Sequence, residues 1–300
     1  MGHYHNQHHE PAISGRNLLI VTILNFVITA AEVIGGILSN SLALLSDALH
    51  NFSDGLAVLI AYIANKVSKR PSNLHRTFGY KRIEILAAFF NAIVLIVIIV
   101  YLFYESALRF YEPEPIKGLI MMVVAIIGLL ANLFAVLLLK KDSRVNLNVR
   151  SAYLHLLGDT LSSVAVIIGG ILIYVYEIFW VDPLITILVG IYLIRETWIV
   201  LKETLDILMQ STPRNIDVGH VQSELEKIDS VKNIHHVHIW SLSDSMIHFE
   251  CHVDLNEDLH VSETGNLLRQ IENILHDRFD IHHTTIQVEY NVEDKKTIII

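Results

Sequence analysis

The stretches SDALHNFSDG at 46–55 and YLHLLGDTLSS at 153–163 each set a histidine four residues ahead of an aspartate inside an apolar run. The pairs are His50/Asp54 and His155/Asp159. On an α-helix a four-residue step puts both side chains on one face. Ionisable side chains in a membrane span are costly, so they face the bundle interior and mark ion routes. Two imidazoles with two carboxylates also make a complete tetrahedral set for a zinc-like dication. The pattern points to an intramembrane divalent-metal site. Buried polar residues that only bridge helices are the plainer alternative.

Around those pairs the chain reads as an integral, multi-pass membrane protein. Of its 300 residues 52% are hydrophobic, and the excess over a soluble domain lies in blocks. Six apolar stretches occur, at 17–38, 42–65, 83–109, 116–139, 150–176 and 179–201. Each exceeds the ~20 residues a helix needs to cross a bilayer core. The second is the least regular, because Asp47, His50 and Asp54 fall in it, and a buried soluble helix is the alternative there. Lys66, Lys69, Arg70, Arg76, Lys81 and Arg82 crowd the loop after the second stretch; Lys140, Lys141, Arg144 and Arg150 follow the fourth. The positive-inside rule puts these loops, and with them both chain ends, in the cytoplasm. The N-terminus MGHYHNQHHE is polar and no small-residue cleavage site follows the first apolar block, so no cleavable signal peptide is expected. Cys251 is the only cysteine, which excludes a disulfide within the chain and zinc sites of the two-cysteine kind. A net charge of -9 argues against nucleic acid as a partner.

From about residue 210 charges become frequent and the apolar blocks shorten. Pro213–Ile228 predicts an amphipathic helix. His236–Leu242 and Met246–Leu255 predict strands joined by the turn SLSDS. Ser262–Phe279 predicts a second helix with Ser262 as N-cap, and Thr284–Tyr290 a third strand. The order α-β-β-α-β gives a small two-layer α+β domain, whose modest core dimerisation would help. The expected division is a histidine-containing tail at 1–15, a six-span helical bundle at 16–209, and a cytoplasmic α+β domain at 210–300.

Charge balance suggests what the four residues do. A dication with two carboxylates and two neutral imidazoles is electrically neutral, as a dry site requires. Without the metal, protonating both histidines restores neutrality, and histidine's ordinary pKa near ~6.5 makes that feasible. Metal needs the deprotonated ligands, so metal moving one way couples to up to about two protons moving the other. Two ligand-bearing helices would rock against the rest. Gly35, Gly36, Gly55, Gly158, Gly169 and Gly170 are available for close helix contacts. Asp47 lies two turns before Asp54, where it either assists metal access or bonds to backbone near the helix start. Asn25, Glu32 and Asn132 read as interhelical hydrogen-bonding groups, with a role in lining the route as the alternative. Tyr153 sits either beside the site or at the interface.

The chain resembles the cation diffusion facilitator family, in its zinc-exporting branch. The resemblance rests on EVIGGILSNSLALLSDALHNFSDG at 32–55, FGYKRIEILAAFFN at 78–91, Asn132, HLLGDTLSSVAV at 155–166, VHIWSL at 237–242 and HHTTIQVE at 282–289. It implies a homodimer of six-span subunits in a bacterial-type plasma membrane, each with a metallochaperone-like cytoplasmic domain. It also implies a transport site on His50, Asp54, His155 and Asp159, with Zn²⁺ as transported substrate and regulatory ligand and protons as the exchanged ion. Some members carry aspartate at the position of His50 and accept cadmium as well as zinc. Histidine there resembles the more zinc-selective branch.

The resemblance implies a second metal site in the tail, on His238, His252, His282 and Glu289. His236, His248, His260 and His283 are alternative ligands, since alternate strand residues face opposite ways. Some relatives bind zinc near the segment PSNLHRTFGY at 71–80. Here only His75 is available and Tyr80 stands where a histidine is needed. The basic stretch reads instead as a membrane anchor or as a partner for acids such as Glu203 and Asp206. His3, His5, His8 and His9 form a metal-gathering tract or a featureless tail. An enzyme is not expected: four ligands close the site, whereas catalytic zinc keeps a position open for water, and no HExxH motif occurs. A membrane metalloenzyme and a membrane-anchored metal sensor are the competing readings.

Overall fold

A computed structural model describes residues 15–140, 147–243, 246–293 and 296–299. The N-terminal histidines, Lys141, Arg144 and the last two residues of SLSDS, 244 and 245, lie outside the described residues. Six long helices come first: α1 Gly15–Ser39, α2 Leu42–Ser68, α3 Ile83–Tyr111, α4 Gly118–Leu139, α5 Leu147–Tyr176 and α6 Val181–Leu208. The α-β-β-α-β order follows as α7 Val218–Leu225, β1 Val231–Ser243, β2 Met246–Leu255, α8 Val261–Phe279 and β3 His283–Glu289.

Helices α3, α4, α6 and the Leu156–Tyr176 part of α5 are long and apolar enough to cross a membrane. Helix α1 is apolar from Ile23 to Ser39, whereas α2 carries Asp47, His50, Asp54 and Lys66 along its length. Val94, Val97, Tyr101 and Tyr104 on α3 and Ile127, Leu130, Phe134 and Leu137 on α4 are exposed. So broad an outward apolar surface suits hydrocarbon rather than water.

The described residues form two compact units, those up to 59 with those of 91–198, and 60–90 with those from 199 onward. The core of the first packs Leu44 of α2 with Ile99, Met121, Val166, Ile173, Val189 and Leu193. Helices α4 and α5 approach backbone to backbone. A Cβ on Gly118 would stand 2.7 Å from Tyr174 N, and one on Gly170 would stand 3.1 Å from the Met122 backbone. Only glycine fits such contacts.

The α1–α2 turn is fixed by residues distant in sequence. Asn40 turns the chain at φ +61, and Arg109 of α3 donates to its carbonyl at 2.6 Å and to its Oδ1 at 3.0 Å. Asp182, at the start of α6, accepts from Leu42 N at 2.8 Å, Ala43 N at 3.2 Å and Ser41 Oγ at 2.5 Å. It thereby satisfies amides that a helix start otherwise leaves without partners.

In the second unit β1 pairs antiparallel with β2, and β2 parallel with β3, in the order β1-β2-β3. Val221, Leu225, Ile234, Phe249, Val253, Ile271 and Leu275 form its core. Leu267, Ile271 and Leu275 recur every four residues as the buried stripe of α8. Several boundaries differ from the sequence expectation: β1 begins at Val231, five residues before His236, and runs to Ser243 into the expected SLSDS turn, and β3 is His283–Glu289, one residue earlier at each end. Helix α7 covers only Val218–Leu225, because Asp217 caps it by accepting from Gly219 N and His220 N. The N-cap of α8 is His260 rather than Ser262: the His260 amide donates to Glu263 Oε2 at 2.9 Å, closing the first turn two residues earlier.

Candidate metal sites

His50 is on α2, and its Nε2 stands 3.0 Å from Asp159 Oδ1 on α5 and 3.5 Å from Asp54 Oδ2. His50 and Asp159 are buried and Asp54 is partly exposed. His155 lies on α5 one turn before Asp159; its side chain is outside those described. The geometry is what the four-residue spacing requires: α2 presents imidazole and carboxylate on one face, and α5 brings a carboxylate to them.

Polar groups of the same unit tie the two ligand-bearing helices to their neighbours. Asp47, two turns before Asp54, accepts from Ser162 Oγ at 2.5 Å and Ser163 Oγ at 3.3 Å, both on α5. Its bonds therefore run across to the next helix and not to backbone near its own helix start. Glu32 of α1 accepts from Asn51 Nδ2 at 2.9 Å, and Asn25 Nδ2 reaches Asn51 O at 3.4 Å. Asn51 directly follows His50, so α1 holds the turn of α2 that carries the imidazole. Asn132 is buried on α4. Tyr153 packs beside Leu156, Val136 and Leu139.

The sheet holds a second cluster. His235, His236 and His252 bring one ring nitrogen each within 4.8 Å of one another. Glu289 adds a carboxylate, with Oε1 2.8 Å from His252 Nδ1 and Oε2 3.4 Å from His235 Nε2. The cause is a β-bulge. His235 faces His252 and His238 faces Glu250, so two residues of β1, His236 and Val237, lie opposite the single Cys251 of β2. His236 takes φ +49 within it. A bulge disrupts strict alternation and re-aims side chains, which brings two adjacent histidines to the same cluster.

Of the quartet implied by the resemblance, the single chain brings together His252 and Glu289. His238 is exposed, beyond the bulge. His282 Nε2 lies 3.6 Å from Asp280 Oδ1, and its ring is 5.1 Å from that of His276. His235 was not among the residues that the sequence reading named; strict period-2 alternation hides it, although the His235-His236 doublet was the available signal.

Electrostatics favours the ligand forms. Burial raises the Glu289 carboxyl, but the Gln287 hydrogen bond, His252 and Lys296 outweigh it and hold the group below the usual carboxylate range. It stays an anion, as a metal ligand must. Burial, with His283 and Arg82 nearby, lowers His248. The Cys251 thiol is fully buried and pushed up to about 12 by burial and by Glu250, so it stays a thiol and not a ligand.

The segment at 71–80 is a tight turn. Asn73 Oδ1 accepts from His75 N and Arg76 N, and Arg76 stacks over the Tyr80 ring at 4.5 Å. Among the described residues His75 belongs to no group of three close metal-ligating side chains. Glu203 and Asp206 are met within the chain by Arg214, at 3.5 and 3.1 Å.

Comparison with known proteins agrees with this two-part build. The family model described as the cation efflux transmembrane domain matches residues 18–209, and that of the cation efflux protein cytoplasmic domain matches 213–291. The segment 296–299 lies beyond both. The "Cadmium, cobalt and zinc/H(+)-K(+) antiporter" of Bacillus velezensis is 40% identical over 96% of this chain and 92% of its own. The zinc transporter ZitB of Pectobacterium atrosepticum is 41% identical over 95% and 89%. A solved structure of the metal-bound C-terminal domain of the CzcD transporter from Cupriavidus metallidurans is 32% identical. It covers 25% of this chain and 99% of its own, with a TM-score of 0.22. With apolar helices bearing a buried histidine–carboxylate pair ahead of a small α+β domain, and with both family models matched in that order, the chain belongs to the cation efflux family, a family of transporters and not of enzymes.

Proposed function

We propose that the chain exports zinc, and with it other divalent transition metals, in exchange for protons. The ligands are His50, Asp54, His155 and Asp159, between the second and fifth of six spans. The observation that carries this reading is the approach of His50 to Asp159 at 3.0 Å between α2 and α5. The relatives named for zinc and for metal/H⁺ antiport support the substrate and the exchange.

The chemistry follows from charge. Zn²⁺ on two carboxylates and two neutral imidazoles is neutral and tolerates a dry environment. When the metal leaves, protons take its place on the imidazoles, since metal and protons compete for the same lone pairs. His50 then keeps Asp54 and Asp159 paired during the return. Asp47, held by Ser162 and Ser163, and Glu32, held to Asn51, keep the turns around the ligands in register. Helices α2 and α5 rock against the others to open the site to one side at a time.

The division at 1–15, 16–209 and 210–300 accompanies this reading, with both termini and the basic loops in the cytoplasm of a bacterial-type cell. The protein works as a homodimer, and the α+β domain is its metal-sensing part. Its ligands are His252 and Glu289 with His235 and His236; His238 and His282 serve only across a contact between two chains.

Purified protein in liposomes loaded to impose a pH gradient tests the function, with zinc, cadmium and cobalt supplied in turn. Zinc flux that rises with the gradient supports export by exchange. A metalloenzyme or a sensor would bind zinc and give no flux.

A further inference from the structure

The last described residues return to the bulge of β1. His236 N donates to Thr297 O at 3.1 Å and Val237 N to Ile298 O at 2.7 Å, and Ile298 packs against the domain core. This lays the segment along the open edge of β1 and brings the Lys296 ammonium inward. Lys296 Nζ stands 3.4 Å from Glu289 Oε2, 3.5 Å from His235 Nε2 and 3.7 Å from Asp254 Oδ2. All three partners are buried. Among them, Glu289 and His235 belong to the candidate metal cluster of the sheet.

We propose that Lys296 is a built-in competitor of the metal: its ammonium neutralises Glu289 beside the imidazole cluster, and zinc binds there only by expelling it and loosening the 296–299 strap from β1. This rests on the reading of His252 and Glu289 as metal ligands.

The physical reason is that two cations want one carboxylate. Glu289 has one oxygen towards His252 and the other towards both His235 and Lys296. A dication shared by Glu289 and His235 would lie within a few ångströms of the ammonium, where like charges in a half-buried setting repel strongly. Expelling Lys296 leaves neither Glu289 nor Asp254 without a cation. Zinc replaces it on Glu289, and Lys232 Nζ, 3.6 Å from Asp254 Oδ2, remains for Asp254. Beside the contacts of Lys296, the described strap residues hold to the domain through two backbone bonds to β1 and the apolar contact of Ile298, and so short a seam makes a weak latch. A weak latch sets a threshold: the apparent zinc affinity is lowered by the fraction of molecules in which the strap is closed. The domain would respond only once cytoplasmic zinc exceeds that threshold.

The test uses the full chain in detergent, with Asp54→Ala and Asp159→Ala in the background to silence the helix site. Zinc is titrated against a chelating dye, and amide exchange is followed at His236 and Val237. Lys296→Met is expected to tighten zinc binding by about tenfold or more, as removal of a mostly closed latch requires. Zinc is expected to unprotect the two amides in the chain that keeps Lys296. Unchanged or weaker binding in Lys296→Met overturns the proposal, and so does unchanged protection at saturating zinc. Because the exchange readout needs no variant of Lys296, misfolding of Lys296→Met does not rescue the idea. His252→Ala and Glu289→Gln separate the two readings: if neither weakens zinc binding, the cluster is not the metal site, and the latch falls with it for that distinct reason.

Discussion

His50 on α2 and Asp159 on α5 stand 3.0 Å apart, although 109 residues separate them in sequence. Each is one member of a His-x-x-x-Asp pair, and the contact brings Asp159 to the His50/Asp54 pair. A hydrogen-bonded imidazole and carboxylate form a stable resting arrangement, and the same atoms are the right donors for a dication.

The nature of the ligand at position 50 should govern which metals pass. In His50→Asp an oxygen replaces a nitrogen and a third carboxylate enters the site, shifting the preference among divalent ions. Cadmium flux relative to zinc is expected to rise severalfold in liposomes supplied with both metals. An unchanged ratio would mean that residue 50 does not touch the transported ion.

Asp182 is expected to act on stability and not on metal. Asp182→Ala leaves Leu42 N, Ala43 N and Ser41 Oγ without their shared acceptor. Loss of a cap costs about 0.5–2 kcal/mol, and burial of the freed donors adds to that. Thermal unfolding in detergent should shift down, while zinc affinity in the protein that remains folded is retained.

Gly170 should tolerate no branched side chain. A Cβ there would meet the Met122 backbone at 3.1 Å, and the α4–α5 pair must separate to admit it. Overpacking of this kind costs about 1–3 kcal/mol. Gly170→Val is expected to reduce the yield of monodisperse protein, with Gly170→Ala closer to the parent.

The α+β domain should lose stability in acid. Burial, His283 and Arg82 lower the pKa of His248 from its ordinary 6.5. The folded state therefore binds a proton less readily than the unfolded one. The associated stability is present in full above about 6.5 and is lost as pH falls through the lower folded value. In His248→Gln the dependence of domain unfolding on pH should flatten across that window. Equal slopes in parent and variant would remove His248 from the explanation.

Much of this was legible in the chain. The six apolar blocks predict the six long helices to within a few residues at most ends, because hydrophobic length is a local property. The helical step of four exposes the His50/Asp54 and His155/Asp159 pairs for the same reason, and strand β2 is found at Met246–Leu255 as its alternation predicts. What escaped is non-local. Asp182 caps a helix that begins 140 residues earlier, and no pattern around either end announces it. The His235/His236 cluster depends on a bulge that breaks the alternation by which a strand is read. Lys296 is one lysine among many until the strap folds back on β1.

The claim on which the account rests is that α2 and α5 share one transported ion, and zinc flux in single variants tests it most directly. Asp54→Ala and Asp159→Ala, each reconstituted at the density of the parent with a pH gradient imposed, should pass zinc no faster than protein-free liposomes. Both should remain dimeric and folded. Zinc flux at the parent rate in either variant would contradict the account.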